Sequence, residues 1–389
     1  MPCTARLIAA SFTALLLVAI ALGFDTQTSR AQEPEWRVGL AEVKITPDKP
    51  VYMSGYASRN KPHESIEHDL HAKALALVDR RGERAVLVTC DLCLFQPAVI
   101  EPVCKRIAEQ TGLERSRIVF NASHTHTGPA LAAELAEGKA DDPAARNTVE
   151  YTRWLQDRLV EVVVKALEKP EPARLSWGTG VATFVMNRRE FTEQGVKLGV
   201  NPRGVVDRSV PLIRIDSPDG KPRAVWFGCA CHNTTLGGDI YQICGDYAGF
   251  AQLQIEQRYP GIQAMFMQNT GGDANPYPRS TMEIARLHGR TLGEEVCRVM
   301  ETKLTEVHGP LTVKFNVLQV PLQPIPPREK LNQMASRRSG WEPEIAKRML
   351  ARLDRGESGP SHFAYPVSAW QFGDSLTWIG LSGEVVVDY

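Results

Sequence analysis

The sequence carries no surplus of either charge: Lys+Arg and Asp+Glu number 45 each, and the formal net charge is zero. That balance excludes the global positive field that favours nucleic acid or an anionic membrane. The chain also lacks a second long apolar run: beyond residues 7–23 no segment is long enough to span a bilayer. Internal repeats and low-complexity tracts are missing. With 43% hydrophobic and 23% charged residues, the composition is that of a folded globular protein. The cysteines lack the doubled CxxC of a structural zinc or redox site, because Cys90-Asp91-Leu92-Cys93 stands alone. Cys90, Cys93, Cys229 and Cys231 are therefore expected as small buried residues. Nothing in the sequence fixes an oligomeric state.

What is present begins with an export signal. Arg6 supplies a basic start, residues 7–23 are apolar, and Ser29-Arg30-Ala31 offers small residues to a signal peptidase. We expect residues 1–31 to be a signal peptide and 32–389 the catalytic domain of a secreted or periplasmic protein. The apolar run is short for a retained anchor, and Cys3 precedes it, so it is no lipoprotein cysteine. The chain stops just after three valines at 385–387, an apolar end from which we expect a further segment.

Strand and helix patterns alternate. Apolar runs at 85–91, 117–122, 211–215, 224–231 and 263–268 predict strands, with a turn at 217–220. Helical spacing predicts helices over 97–110, 151–169, 246–259, 282–307 and 328–353, with Gly112 as a stop. Residues 187–208 and 321–327 read as loops. The fold class that follows is α/β: a layered mixed β-sheet domain with flanking helices and its active site at strand ends.

The sharpest local signal is Ser123-His124-Thr125-His126-Thr127-Gly128-Pro129, directly after a strand. Two histidines at i and i+2 of an extended segment face the same side. They can share a metal or split into ligand and acid/base. His232 ends another apolar strand, and three histidines at strand ends suit a catalytic zinc with an open position. Asn269-Thr270-Gly271-Gly272-Asp273-Ala274-Asn275-Pro276 follows a third strand; its glycines allow close backbone approach and could supply oxyanion donors. Glu384, after Gly383, is a candidate carboxylate ligand, though alone it reads as a surface residue.

Taken in order, Arg37-Val38-Gly39, Lys44-Ile45-Thr46-Pro47, Met53-Ser54-Gly55-Tyr56-Ala57, the HTHTGP block, His232, the GGDANP loop and Ser382-Gly383-Glu384 resemble the neutral/alkaline non-lysosomal ceramidases. The resemblance implies a zinc (Zn2+) held by His124, His232 and Glu384, with a tyrosine ligand from a segment beyond Glu384. It implies His126 as the acid/base residue and Arg188 as a substrate contact, with Gly271 and Gly272 beside the substrate. Asn275 stands where the family carries a serine, and a carboxamide cannot serve as an alcohol nucleophile. The implied activity is zinc-water hydrolysis of the amide of ceramide or a related lipid-like N-acyl amine. The alternatives are a zinc hydrolase for another amide or ester, and a non-catalytic binding protein on the same scaffold. The implied partners are a lipid-like substrate and no nucleic acid, with peripheral membrane contact left open.

Overall fold

The computed structural model describes residues 35–135, 141–337 and 342–389. The first half of the chain forms β1 (Trp36–Lys44), β2 (Ser65–Ile66), β3 (His71–Asp79), β4 (Arg84–Cys90), α1 (Pro97–Thr111), β5 (Ile118–Ala122) and α2 (Pro143–Glu168). Then come β6 (Glu171–Val181), β7 (Val185–Thr192), β8 (Gly195–Asn201), β9 (Ser209–Asp216), β10 (Pro222–Cys229), β11 (Gln242–Ile243), α3 (Asp246–Arg258), β12 (Gln263–Gln268), β13 (Ala274–Pro276) and α4 (Met282–Met300). The last part forms β14 (Thr305–Glu306), β15 (Leu311–Pro321), α5 (Arg328–Ala335), α6 (Glu342–Asp354), β16 (His362–Phe372) and β17 (Leu376–Leu381).

One mixed sheet runs β12-β10-β9-β6-β1-β3-β4-β5, with β14 paired to β6. Its two halves repeat one connectivity. In the first, β1, β3 and β4 are antiparallel, and β5 lies parallel to β4 after α1. In the second, β6, β9 and β10 are antiparallel, and β12 lies parallel to β10 after α3. The halves meet where β1 pairs antiparallel with β6. No sequence repeat accompanies this topological one.

Alternation along the strands feeds two cores. Ala72, Ala74, Val86 and Val88 pack with α1 and α2, and Val225, Phe227 and Phe266 with α3 and α4. On the other face Trp36, Leu75, Trp226 and Met265 pack with Trp370 and Phe372 of the β15-β16-β17 sheet. The large sheet curls until its outer strands meet. The Asn121 amide on β5 donates to Gln268 O (3.3 Å), and its oxygen accepts from Gln268 N on β12 (3.0 Å). The carboxyl end of β5, at one edge of the strand order, is thus drawn to those of the neighbouring β10 and β12 at the other.

The layered α/β class expected from the sequence is the one observed. Some boundaries differ. Helix α2, between β5 and β6, starts at Pro143, before the apolar periodicity becomes legible, because Asp142 caps it by accepting from Ala144 N. Residues 187–208 are not a loop throughout: β7 and β8 form a hairpin around Gly195, whose φ is 106°. The helix after Met282 ends at Met300, and 305–306 instead adds to the sheet. The 328–353 helix is two helices, α5 and α6. The proposed signal peptide lies outside the described residues. All seven described cysteines are buried and free, as expected of small core residues.

Candidate metal centre

β5 is fixed by its pairing with β4 and ends at Ala122. Ser123 N still donates to Cys90 O (2.8 Å), but His124 takes φ 61°, a left-handed conformation uncommon outside glycine. Strand alternation is therefore not what brings His124 and His126 to one side; the chain turns at His124. Thr125 and Thr127 pin the turn by donating to Cys244 O (2.9 and 2.8 Å), and His126 N donates to Asn233 O (3.3 Å). The two rings end edge to face, with their Nε2 atoms 3.3 Å apart.

His232 lies three residues past β10 and is held by its N–H donating to Ala274 O (2.9 Å). Its Nδ1 is 2.7 Å from Gly271 O, and His124 Nδ1 is 2.7 Å from Cys93 O. A carbonyl only accepts, so each Nδ1 carries the hydrogen and each Nε2 presents its lone pair. That tautomer, locked by a backbone carbonyl, is the one metal-ligating histidines use. Glu384 completes the cluster: its oxygens lie 3.1 Å from His232 Nε2 and 3.6 Å from His124 Nε2. One ligand atom from each of the three lies within 4.8 Å of the others. The Glu384 carboxylate, with the Arg188 guanidinium 3.5 Å away, supplies the anionic donor. Two lone pairs and an anion converging on one point are relieved by a cation between them. The donors fit a zinc with three protein ligands and an open position.

His126 does not join that set. It groups instead with His124 and Cys93, whose thiol burial pushes up to about 12. Burial, then the two neighbouring histidines, pushes His126 well below its usual value. Its Nδ1 has no hydrogen-bond partner. The Tyr56 ring packs edge-on at 5.0 Å, and the half-buried Arg59 guanidinium grips the loop by donating to His126 O (2.5 Å) and Ser54 O (2.7 Å). Sequence reasoning missed Arg59 and the Cys93 carbonyl. Arg59 belongs to no motif, and a backbone oxygen leaves no signature in residue type.

Arg188 reaches the site through a register shift between Asn187 and Arg189, a bulge that re-aims its side chain. Its guanidinium donates to Gly272 O (2.6 Å) and Asn275 Oδ1 (3.4 Å) and lies 3.5 Å from Glu384. Asn275 Oδ1 also accepts from Thr234 Oγ1 (3.1 Å). The glycines act differently from the sequence expectation. Their amides are already engaged, Gly271 with Asn269 O (2.7 Å) and Gly272 with Val385 O (2.8 Å), so neither is a free oxyanion donor here. What demands glycine is close approach. A Cβ on Gly271 would sit 2.4 Å from Cys231 N, and one on Gly272 2.3 Å from Glu384 O. The loop packs the His232 and Glu384 segments together.

Two histidines after strands of the mixed sheet, a carboxylate brought in from the segment after β17, and a third histidine beside them define a candidate metallohydrolase site. A model of the neutral/alkaline non-lysosomal ceramidases, N-terminal part, matches residues 36–316, and the chain belongs to that family. The matched span holds His124, His126, Arg188, His232 and Asn275; Glu384 lies outside it and arrives through the fold. Neutral ceramidase A of Dictyostelium discoideum is 25% identical over 281 residues, covering 67% of this chain and 38% of that protein. Neutral ceramidase 2 of Arabidopsis thaliana is 30% identical over 250 residues, covering 58% and 30%. The chain thus spans less than two fifths of these relatives' lengths. The crystal structure of neutral ceramidase from Pseudomonas aeruginosa superposes with a TM-score of 0.66 at 19% identity, over 88% of this chain and 61% of that one. A ceramidase complexed with C2 superposes at 0.67 and 17%, over 88% and 62%. At these identities the likeness shows the fold.

Proposed function

We propose that this chain carries the zinc-dependent catalytic site of an exported amidohydrolase that cleaves the N-acyl amide of ceramide or a related N-acyl amine lipid. The observation that carries the reading is the convergence of His124 Nε2, His232 Nε2 and the Glu384 carboxylate, with both histidine tautomers locked by backbone carbonyls. Family membership supplies the substrate class, and the basic, apolar and small-residue pattern of residues 1–31 supports export.

A zinc held by these three residues would lower the pKa of its water toward ~7 and polarise the scissile carbonyl. His126 handles the proton. Its Nε2 faces the cluster, and a neutral imidazole can take the proton of the attacking water and return it to the leaving nitrogen. The C–N bond then breaks, giving a fatty acid and a free amine. Arg188 orients the substrate while holding Gly272 O and facing Glu384, and Asn275, joined to Arg188, contacts the substrate without forming a covalent bond to it. The test is metal analysis of the purified protein with a ceramide hydrolysis assay. We expect about one zinc per chain, loss of hydrolysis on chelation and recovery with added zinc. Hydrolysis that persists in metal-free protein would refute the zinc reading, and zinc binding without any hydrolysis would favour a binding protein.

Asn275 favours a second reading, a zinc hydrolase for a different amide or ester. A carboxamide there is larger than a serine hydroxyl and is already tied to Arg188 and Thr234. Replacing Asn275 by serine is expected to raise kcat/KM on ceramide relative to short N-acyl amines. An unchanged ratio would mean that the pocket departs from the family elsewhere, in favour of the second reading.

A further inference from the structure

The β7–β8 hairpin shows large apolar side chains in a row; so does the β15–β16 pair, through Leu318, Val320 and Phe363, but the hairpin is the one that runs into the residues of the metal centre. Phe191 is 78% exposed, Leu198 69% and Val196 54%, with Val200 also exposed. They share one face. Val196, Leu198 and Val200 alternate along β8, and the register sets Phe191 opposite Val196 and Arg189 opposite Leu198. The charged Glu190 and Lys197 face each other on the reverse side. β8 is an edge strand, since the small sheet runs β13-β7-β8.

The apolar face leads to the metal centre. Arg189, at its inner end, donates to Gly272 O (3.4 Å), the same oxygen that Arg188 grips beside Glu384. At its outer end stands Phe191, one residue before the strand end at Thr192. Exposed apolar residues in a row next to a site mark an interaction surface rather than ordinary surface scatter. A water-soluble small substrate gives no reason for such a row, whereas a substrate that resides in a lipid layer does. The chain's balanced net charge leaves apolar contact, not a polybasic field, as the means of attachment.

We propose that this hairpin dips its Phe191–Val196–Leu198 face into a lipid surface and so brings the metal centre to the headgroup level, where an N-acyl amide lipid presents its scissile bond. The inference rests on the lipid-substrate reading above. An aromatic ring at the tip and aliphatic chains behind it are suited to the interfacial zone of a bilayer.

The test uses the full protein and a Phe191→Ser/Leu198→Ser double variant. Cosedimentation is measured with phosphatidylcholine vesicles, and hydrolysis with vesicle-embedded ceramide and with a soluble short-chain N-acyl amine. We expect wild-type protein to bind the vesicles and the double variant to bind about 100-fold or more weakly, since each of the two large apolar side chains withdrawn from lipid costs about a decade or more. Turnover of the embedded substrate should fall in parallel, while the soluble substrate and the thermal unfolding temperature stay unchanged. Wild-type protein that fails to bind vesicles overturns the proposal. So does a variant that binds them equally well, or one whose change is in self-association on gel filtration. If neither substrate is cleaved but wild-type binding and its loss in the variant are observed, the hairpin proposal stands and the hydrolase reading fails.

Discussion

Alanine at His124 or His232 is expected to abolish stoichiometric zinc binding and to lower amide hydrolysis by about 10³-fold or more, because several kcal/mol of transition-state stabilisation at about 1.4 kcal/mol per decade are lost with the ion. The two substitutions should behave alike, since each removes one of two equivalent donors: a ring fixed by a carbonyl on Nδ1 and open on Nε2. Unfolding separates a metal effect from a folding effect. Zinc that binds only the native state raises stability by about 2.7 kcal/mol at a hundredfold excess over its dissociation constant. Wild-type protein should therefore show an unfolding temperature that climbs with added zinc, and both variants a flat response. In metal-free protein the variants lose the Nδ1 hydrogen bond, about 1 kcal/mol, together with the packing of a buried ring, so both are less stable than wild type before any zinc is added. Glu384→Gln probes the third donor. It keeps the shape and removes the charge, so zinc affinity should fall without a change in metal-free stability. Full zinc occupancy in the His232 variant would remove His232 from the ligand set and with it the centre described here.

The equivalence of the two histidines was only partly legible in the sequence. HTHTGP and the His232 segment each stood out because a histidine followed an apolar run, and buried strands are read well from such runs. The runs at 85–91, 224–231 and 263–268 became β4, β10 and β12, the first two ending one and two residues earlier. The meeting of the strand ends was not legible. It depends on the β1–β6 pairing at the middle of the sheet and on the Asn121–Gln268 contact that draws the edges in. Both join residues far apart in the chain, and neither leaves a local pattern. Glu384 shows the same limit. Alone it reads as a surface carboxylate, and its side chain is indeed more than half exposed. It becomes a ligand candidate because β17 and Gly272 carry its backbone to His232. The hairpin failed for a different reason: glycine and charge suggested a loop, while the alternation of Val196, Leu198 and Val200 is the strand signal that outweighed them.

His126→Ala is expected to separate metal binding from chemistry, keeping zinc at about one per chain while turnover falls by about 10²–10⁴-fold, the usual worth of a positioned proton carrier. The argument is geometric. His126 Nε2 lies 3.3 Å from His124 Nε2, close enough to serve a water and a leaving nitrogen at the cluster, yet His126 stands outside the group of His124, His232 and Glu384. Its Nδ1 has no protein partner, so no carbonyl locks its tautomer as Cys93 and Gly271 lock the other two. A ligand gains from such a lock, whereas a residue that takes and gives a proton needs freedom to change protonation state. Tyr56 against the ring and Arg59 on the His126 carbonyl hold its position in place of a lock on the ring nitrogen. The loss should therefore appear in kcat with KM little changed, because the group acts on the reacting atoms and not on substrate affinity. An added small imidazole should restore part of the activity of the alanine variant by occupying the space the ring leaves. Zinc content lost together with activity would place His126 among the ligands, and zinc retained with full activity would remove it from the proton path.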